Sequence, residues 1–278
     1  MTAAPPESPA AEYARGFALE HAHYRLDLPL WRRLAAAADG PVLDMGAATG
    51  RVAIDLARRG HHVCAADPSA PMRHELSAAL AREDPDVAAR VEVVAGRLDA
   101  PPPGRRYPLV LVAMNTMQVL VEPAERTRAF TALASALTPG GRLAFDVAWC
   151  SAEHVAAMIG LELPAGSHVA SDGTRVRQTS WFEGVDADTM TARFAIRIVV
   201  ERPGSRREMR MRRHTVHLYT PDEIRALARA AGLDCVEALG DFEGHALTDR
   251  AETQVPVLAR PAVAARGRFR CSTCTPTT

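Results

Sequence analysis

The chain contains no lysine. All 33 basic residues are arginines, matched by 33 acids, so the formal charge is zero. Neutrality removes any global attraction to nucleic acid or an anionic membrane. There is no apolar run of about eighteen residues, which excludes a membrane-spanning helix. The N-terminal stretch also lacks the apolar core of a signal peptide. Cysteine is sparse and odd in number (Cys64, Cys150, Cys235, Cys271 and Cys274), so no disulfide framework is expected. A cytoplasmic protein is the expectation. Cys271-Ser-Thr-Cys274 has half the spacing of a zinc site, but no second pair accompanies it, and no metal site is expected. Gly-x-Ser-x-Gly, Walker and His-Glu-x-x-His patterns are missing, which removes three common enzyme signatures. Aromatics make up 5% of the chain and do not interleave with Arg206, Arg207, Arg210, Arg212 and Arg213. That cluster reads as a solvated strand edge, not a nucleic-acid surface.

What is present is a core. With 47% hydrophobic residues in 278, the chain can bury one large α/β domain, or a standard domain carrying an insertion. Residues 1–11 are rich in Pro and Ala and read as disordered. A helical pattern covers Tyr13–Ala38, broken near Pro29. Apolar runs at Pro41–Met45, His62–Ala66, Val91–Ala95, Leu109–Ala113 and Arg142–Val147 then alternate with helical stretches at 50–59, 70–82, 124–137 and 152–159. This alternation predicts a doubly wound, mostly parallel sheet of seven strands in an α/β domain spanning 12–167 and 220–260. Residues 168–219 change to period two, with turn signals at Gly184–Asp188 and Pro203–Ser205, and predict a three-stranded antiparallel β insert. Thr220-Pro-Asp-Glu223 is a helix start: N-cap, Pro at the first position, Glu three residues after the cap. Strands are expected at 233–239 and 253–259, and residues 261–278 read as a flexible tail.

Two features carry chemistry. The first strand runs into Asp44-Met-Gly46-Ala-Ala48-Thr-Gly50, a turn whose glycines let backbone approach a ligand closely. Its spacing is not the dinucleotide fingerprint Gly-x-Gly-x-x-Gly, which weighs against a nicotinamide dehydrogenase. Asp44 can hold a cationic ammonium group, or the segment is an ordinary tight turn. Asp67 closes the second strand, one βαβ step later. It can accept both hydroxyls of a ribose, or cap the helix that follows Pro68.

These residues resemble the class I S-adenosylmethionine (SAM)-dependent methyltransferases. Asp44-x-Gly46-x-Ala48-x-Gly50 is similar to their first motif, with Ala48 where Gly is usual. Asp67-Pro68-Ser-Ala-Pro-Met72 matches their ribose-binding acid and the run after it. Leu137-Thr-Pro-Gly-Gly-Arg-Leu143 matches the segment before their fifth strand. A narrower resemblance, covering roughly Tyr24 to Arg260, is to bacterial small-molecule methyltransferases with a β insertion after the fifth strand. It rests on Asp27-Leu-Pro-Leu-Trp31, Thr215–Glu223 and Gly240-Asp-Phe-Glu-Gly244.

The resemblance implies SAM as cofactor and S-adenosylhomocysteine as product. It implies cofactor contacts from Tyr24, Asp44, Gly46, Ala48, Gly50, Arg51, Asp67, Pro68, Met72, Arg97, Leu98, Ala113 and Met114. Where the family has Gly-Asp toward the adenine amino group, this chain has Gly96-Arg97-Leu98-Asp99; Arg97 cannot accept a hydrogen bond, so Asp99 or a backbone carbonyl would substitute. Asn115 and Gln118 are candidates for orienting an acceptor, or simply cap their loop. Asp146 faces the acceptor or caps the next helix. His217 and Tyr219 share a face of the insert's last strand and look into the cleft or pack on the main domain. His21, His23 and Tyr24 lie in helices that close over SAM in the family, or are merely packed there. The expected reaction is methylation of a small-molecule or peptide acceptor, more an amine than a hydroxyl, because the fourth-strand segment offers no His base. The alternatives are a SAM-binding cyclase or isomerase, or a non-catalytic SAM-binding partner subunit. Neither nucleic acid nor membrane is an expected partner; a homodimer is possible.

Overall fold

Val42-Leu-Asp-Met45 is buried at every position because it forms an interior strand of the main sheet, with a parallel neighbour on each side. The structure, a computed structural model, describes residues 8–262. In chain order the elements are α1 Pro9–His21, α2 Leu28–Ala36, β1 Val42–Met45, α3 Arg51–Ala57, β2 Val63–Ala66, α4 Ala70–Leu80, α5 Pro85–Ala88, β3 Val91–Val94, β4 Tyr107–Val112, α6 Pro123–Ser135, β5 Leu137–Phe145, β6 Val147–Ala148 and α7 Ala152–Ala157. They continue with β7 Leu163–Val169, β8 Arg175–Asp186, β9 Thr191–Glu201, β10 Glu208–His217, α8 Pro221–Ala230, β11 Asp234–Leu239 and β12 Thr253–Ala259.

The main sheet has the order β11-β12-β5-β4-β1-β2-β3, with β6 as a short extension on β12. β1 pairs in parallel with β2 and β4, while β12 runs antiparallel to its neighbours β5 and β11. The chain winds outward from β1 to β3, then returns to β4 on the other side. A crevice therefore opens beyond the carboxyl ends of β1 and β4. Apolar clusters lie on both faces. Trp31, Leu56 and Leu76 pack with Val42 and Leu109; Phe130, Leu133 and Ile224 pack with Leu43 and Val110. Burying a Leu- or Phe-sized side chain stabilises the fold by about 1.5–3 kcal/mol, so these two layers dominate its energetics.

The elements depart from expectation in four places. Helix α1 begins at Pro9, capped by the Ser8 side chain, so residues 9–11 are helical and not disordered. The N-terminal helices break at 22–27 rather than at Pro29, which sits in the first turn of α2 where a missing N–H costs nothing. Leu137-Thr-Pro-Gly-Gly lies within β5, not before it; a register irregularity between Tyr107 and Leu109 accommodates it. The insert has four antiparallel strands, ordered β10-β9-β8-β7, not three. The additional strand, β7, is an edge strand, mostly exposed, and contains Pro164 and Gly166, so it shows no alternation. The tail from residue 263, with Cys271 and Cys274, lies outside the described residues.

Candidate active site

The glycine turn after β1 is built around positive φ. Gly46 has φ +75°, and a Cβ there would stand 2.7 Å from Thr116 Cγ2. Gly50 has φ +90°, and a Cβ would meet Leu76 Cδ1 at 2.0 Å. Gly50 is the residue that caps α3, and it does not line the cavity. Ala48, where the family has glycine, also adopts a left-handed conformation, with φ 48°. What holds it there is Asp67: its Oδ2 accepts from the Ala48 amide at 2.9 Å, and its Oδ1 accepts from the Ser69 amide at 2.8 Å. Asp67 is not the helix cap. Ser69 caps α4 through the Met72 amide. Asp67 therefore clamps the turn after β1 to the turn after β2.

A cavity of about 840 Å³ fills the crevice. Its floor includes Asp44, Gly46, Ala48, Arg51, Asp67, Pro68, Met72, Arg97, Leu98, Ala113 and Met114, all expected from the sequence. Asp44 is 2% exposed, and its Oδ2 has no hydrogen-bond partner. Burial pushes its pKa up to about 7, opposed by the neighbouring Arg51 and reinforced by Asp67. Arg51 is not free: it donates to both oxygens of Asp27 at 2.6 Å. Asp27 also accepts from Trp31 Nε1 at 2.8 Å. Tyr24 lies under the Arg51 guanidinium, 5.0 Å from ring centroid to Cζ, and is not among the cavity-lining residues. Arg97 Nε donates to Asp99 Oδ1 at 3.0 Å, so the substitute acid at this edge is already engaged.

The roof comes from α1 and the insert. Tyr13, Phe17 and His21, one helical turn apart, line the cavity from α1; Phe194, Arg212, His214 and Val216 line it from β9 and β10. Glu20 and Arg212 form a pair that is 1% and 10% exposed at the side chains, with contacts of 2.7 and 3.0 Å, and Arg212 lies over the Tyr13 ring at 4.1 Å. Burial raises the Glu20 carboxyl to about 7 despite Arg212 and Arg210. Sequence reasoning missed Tyr13, Phe17, Glu20, Phe194 and His214, and assigned Arg212 to a solvated edge. The available signal was the Tyr13–Phe17–His21 spacing. It needed a partner surface to be read.

Four expected acceptor residues are corrected. His217 and Tyr219 do not face the cavity. The residues of β10 that do are Arg212, His214 and Val216, so the residues of odd number point away. The His217 Nε2–H donates to Glu223 at 2.7 Å, and the Tyr219 hydroxyl donates to the Met117 carbonyl at 3.2 Å in the core. Gln118, 3% exposed, donates to the His217 carbonyl and accepts from the Ala148 amide, both at 2.9 Å. It ties the short turn Thr116–Val119 to the insert and to β6, and does not reach the cavity. Asp146 neither lines the cavity nor caps a helix: its carboxylate accepts from the amides of Met114 and Asn115, at 2.6 and 3.0 Å. Asp146 holds these two residues in left-handed conformations, φ 65° and 57°. Asn115 alone of the acceptor candidates lines the cavity. His21 lines the cavity, whereas His23 stacks on His168.

The fold is shared with known proteins. A methyltransferase-domain family model matches residues 42–141, the stretch from β1 to the glycine pair of β5. The CcbJ methyltransferase of Streptomyces caelestis is 26% identical and superposes with a TM-score of 0.69 over 87% of this chain and 98% of that one. The chain is a SAM-dependent methyltransferase. SAM-bound CalS10, an amino pentose methyltransferase of Micromonospora echinaspora, is 20% identical with a TM-score of 0.64, over 94% and 100%. The sugar N-methyltransferase KedS8 of a Streptoalloteichus species is 17% identical with a TM-score of 0.68, over 94% and 97%. No curated protein matches. No helix of the methyltransferase, among the described residues, is long and apolar enough to cross a membrane.

The residues present fit SAM. An unpartnered, buried carboxylate oxygen on Asp44 at the floor of the cavity suits a cationic amino group. The turn Gly46–Ala48 lets backbone come close without a side chain in the way. Asp67 stands beside it at the end of β2, where its spare lone pairs can take ribose hydroxyls.

Proposed function

We propose that the methyltransferase transfers a methyl group to an amine nitrogen of a small-molecule acceptor bound between α1 and the insert. The observation that carries this reading is the fate of the two acid–base candidates. A hydroxyl acceptor needs a strong general base. Asp146 spends its carboxylate on two backbone amides, and His217 is turned onto Glu223. An amine needs only to arrive neutral. Bound SAM supplies a methyl already activated on a sulfonium. The protein's residues then have to position the acceptor and keep water out. Asp146 does the first indirectly, by fixing the Met114–Asn115 turn beside the cavity. Tyr13, Phe17 and Phe194 do the second, since apolar walls exclude solvent. Two structural neighbours support an amine: CalS10 is an amino pentose methyltransferase and KedS8 a sugar N-methyltransferase.

The test is transfer of labelled methyl from SAM to a panel of benzylamine, tyramine, a methyl aminoglycoside and matched alcohols and phenols. Mass spectrometry should find one added methyl on nitrogen. Transfer confined to oxygen would overturn the amine assignment.

A further inference from the structure

Resting on the amine reading, the geometry points to His214 as the residue that contacts the acceptor, taking a hydrogen bond from its nucleophilic N–H while Phe194 and Val216 hold the adjoining body of the molecule. His214 lines the cavity from β10. It sits directly across the ladder from Phe194, and the two rings stack with centroids 5.2 Å apart. That stack fixes the plane of the imidazole, and no hydrogen bond occupies either of its nitrogens among the described residues. An imidazole with a fixed ring and unused nitrogens in a cavity wall is a recognition group.

The surroundings decide what it recognises. Arg212 is the charged neighbour on the same face of β10, and its guanidinium is turned onto Glu20 from α1 through contacts of 2.7 and 3.0 Å. His21, also from α1, donates its Nδ1–H to the Phe17 carbonyl at 2.9 Å and stays neutral, since burial lowers its pKa to about 4. Asp44 and the Arg51–Asp27 pair belong to the cofactor end. Burial and Arg212 together lower the His214 pKa, so the imidazole is neutral at physiological pH and presents one N–H and one lone pair. A neutral imidazole does not repel an amine beside a sulfonium. His214 then serves the acceptor through its lone pair, as a hydrogen-bond acceptor. The arginines at this end are paired, which disfavours an acceptor carrying a free carboxylate or phosphate there.

Three variants test this, assayed by labelled methyl transfer to whichever of benzylamine, tyramine or the methyl aminoglycoside the wild type methylates. His214→Leu should lower kcat/KM at least 30-fold. His214→Gln, whose side-chain carbonyl replaces the lone pair, should recover to within about 5-fold of wild type. Both should bind SAM within 2-fold of wild type by calorimetry and melt within a few degrees of it. As a control on the ring contact, Phe194→Leu should raise KM with kcat little changed. Wild-type kcat/KM in His214→Leu, or equal losses in the Leu and Gln variants, would overturn the assignment. So would a matching loss of SAM affinity, which would make His214 structural. Failure of the wild type to methylate any amine while still binding SAM would instead sink the amine reading itself.

Discussion

Arg51, the first residue of α3, closes on Asp27, the residue before α2, through two N–H···O contacts of 2.6 Å. The Asp27 side chain is buried, at 1% exposure, and the Arg51 side chain is mostly covered, at 13%. The pair joins the glycine turn to the N-terminal helices that roof the cavity.

Removing one partner leaves the other charge buried and alone. Asp27→Ala should therefore lower stability by about 3–5 kcal/mol and weaken SAM binding, because Arg51 lines the cavity. The double variant Asp27→Leu/Arg51→Met should melt higher than Asp27→Ala. Denaturant melts of the three proteins check this. Equal stability of Asp27→Ala and wild type would show that the pair contributes nothing.

SAM affinity should rise with pH. The Asp44 carboxyl is raised to about 7 by burial, so in the free protein it is mostly protonated at pH 6 and ionised at pH 8. A cationic amino group needs the ionised form, and binding below pH 7 must first release that proton. Affinity should fall by up to about 10-fold per pH unit below 7 and level off above it. The sign for folding is opposite: a carboxyl with a raised folded-state pKa favours the fold at low pH, and that contribution is lost as pH rises through 7. Calorimetry between pH 5.5 and 8.5 on wild type and Asp44→Asn separates the two effects. The variant should bind weakly with a flat profile.

Ala48→Gly should stabilise the protein. Ala48 is held at φ 48°, a conformation costing a non-glycine residue about 1–2 kcal/mol, against about 0.5–1 kcal/mol of added chain entropy for glycine. The expected gain is about 0.5–1 kcal/mol, or roughly 2 °C in Tm. Asp67→Ala should do the reverse. It loses the clamp on the Ala48 and Ser69 amides and the lone pairs that would take ribose hydroxyls, so both Tm and SAM affinity should drop. A drop in affinity with Tm unmoved would show that the clamp is energetically silent.

Gln118→Ala should cost stability and not chemistry. It leaves the buried His217 carbonyl without its side-chain partner, which costs about 1–3 kcal/mol, while the amide of the exposed Ala148 can turn to water. Tyr219→Phe removes a single long hydrogen bond and should cost about 1 kcal/mol. SAM affinity should hold in both, measured alongside Tm. A kcat loss in Tyr219→Phe without a stability loss would return that residue to the active site.

The parts of this protein legible in its sequence are those set by local rules. Sequence pattern marked the strands of the main sheet other than β6, and the turn chemistry of Asp44–Gly50 and Asp67 marked the end where the cavity opens. Thr220-Pro-Asp-Glu223 marked α8, and its cap forms as expected. These depend on backbone conformation within a few residues, which composition constrains directly. The acceptor end depends on which face of a separate sheet meets the cavity. Period two places His214 and Val216 on one face of β10 and His217 on the other, but it is indifferent to which face is which. Packing against α1 and the main domain chose, and it sent His217 inward to Glu223. Gln118 and Asp146 failed as acceptor residues for a related reason. A buried polar side chain goes to whatever backbone groups lack partners, and those groups, at His217, Ala148, Met114 and Asn115, are brought near only by the closed fold.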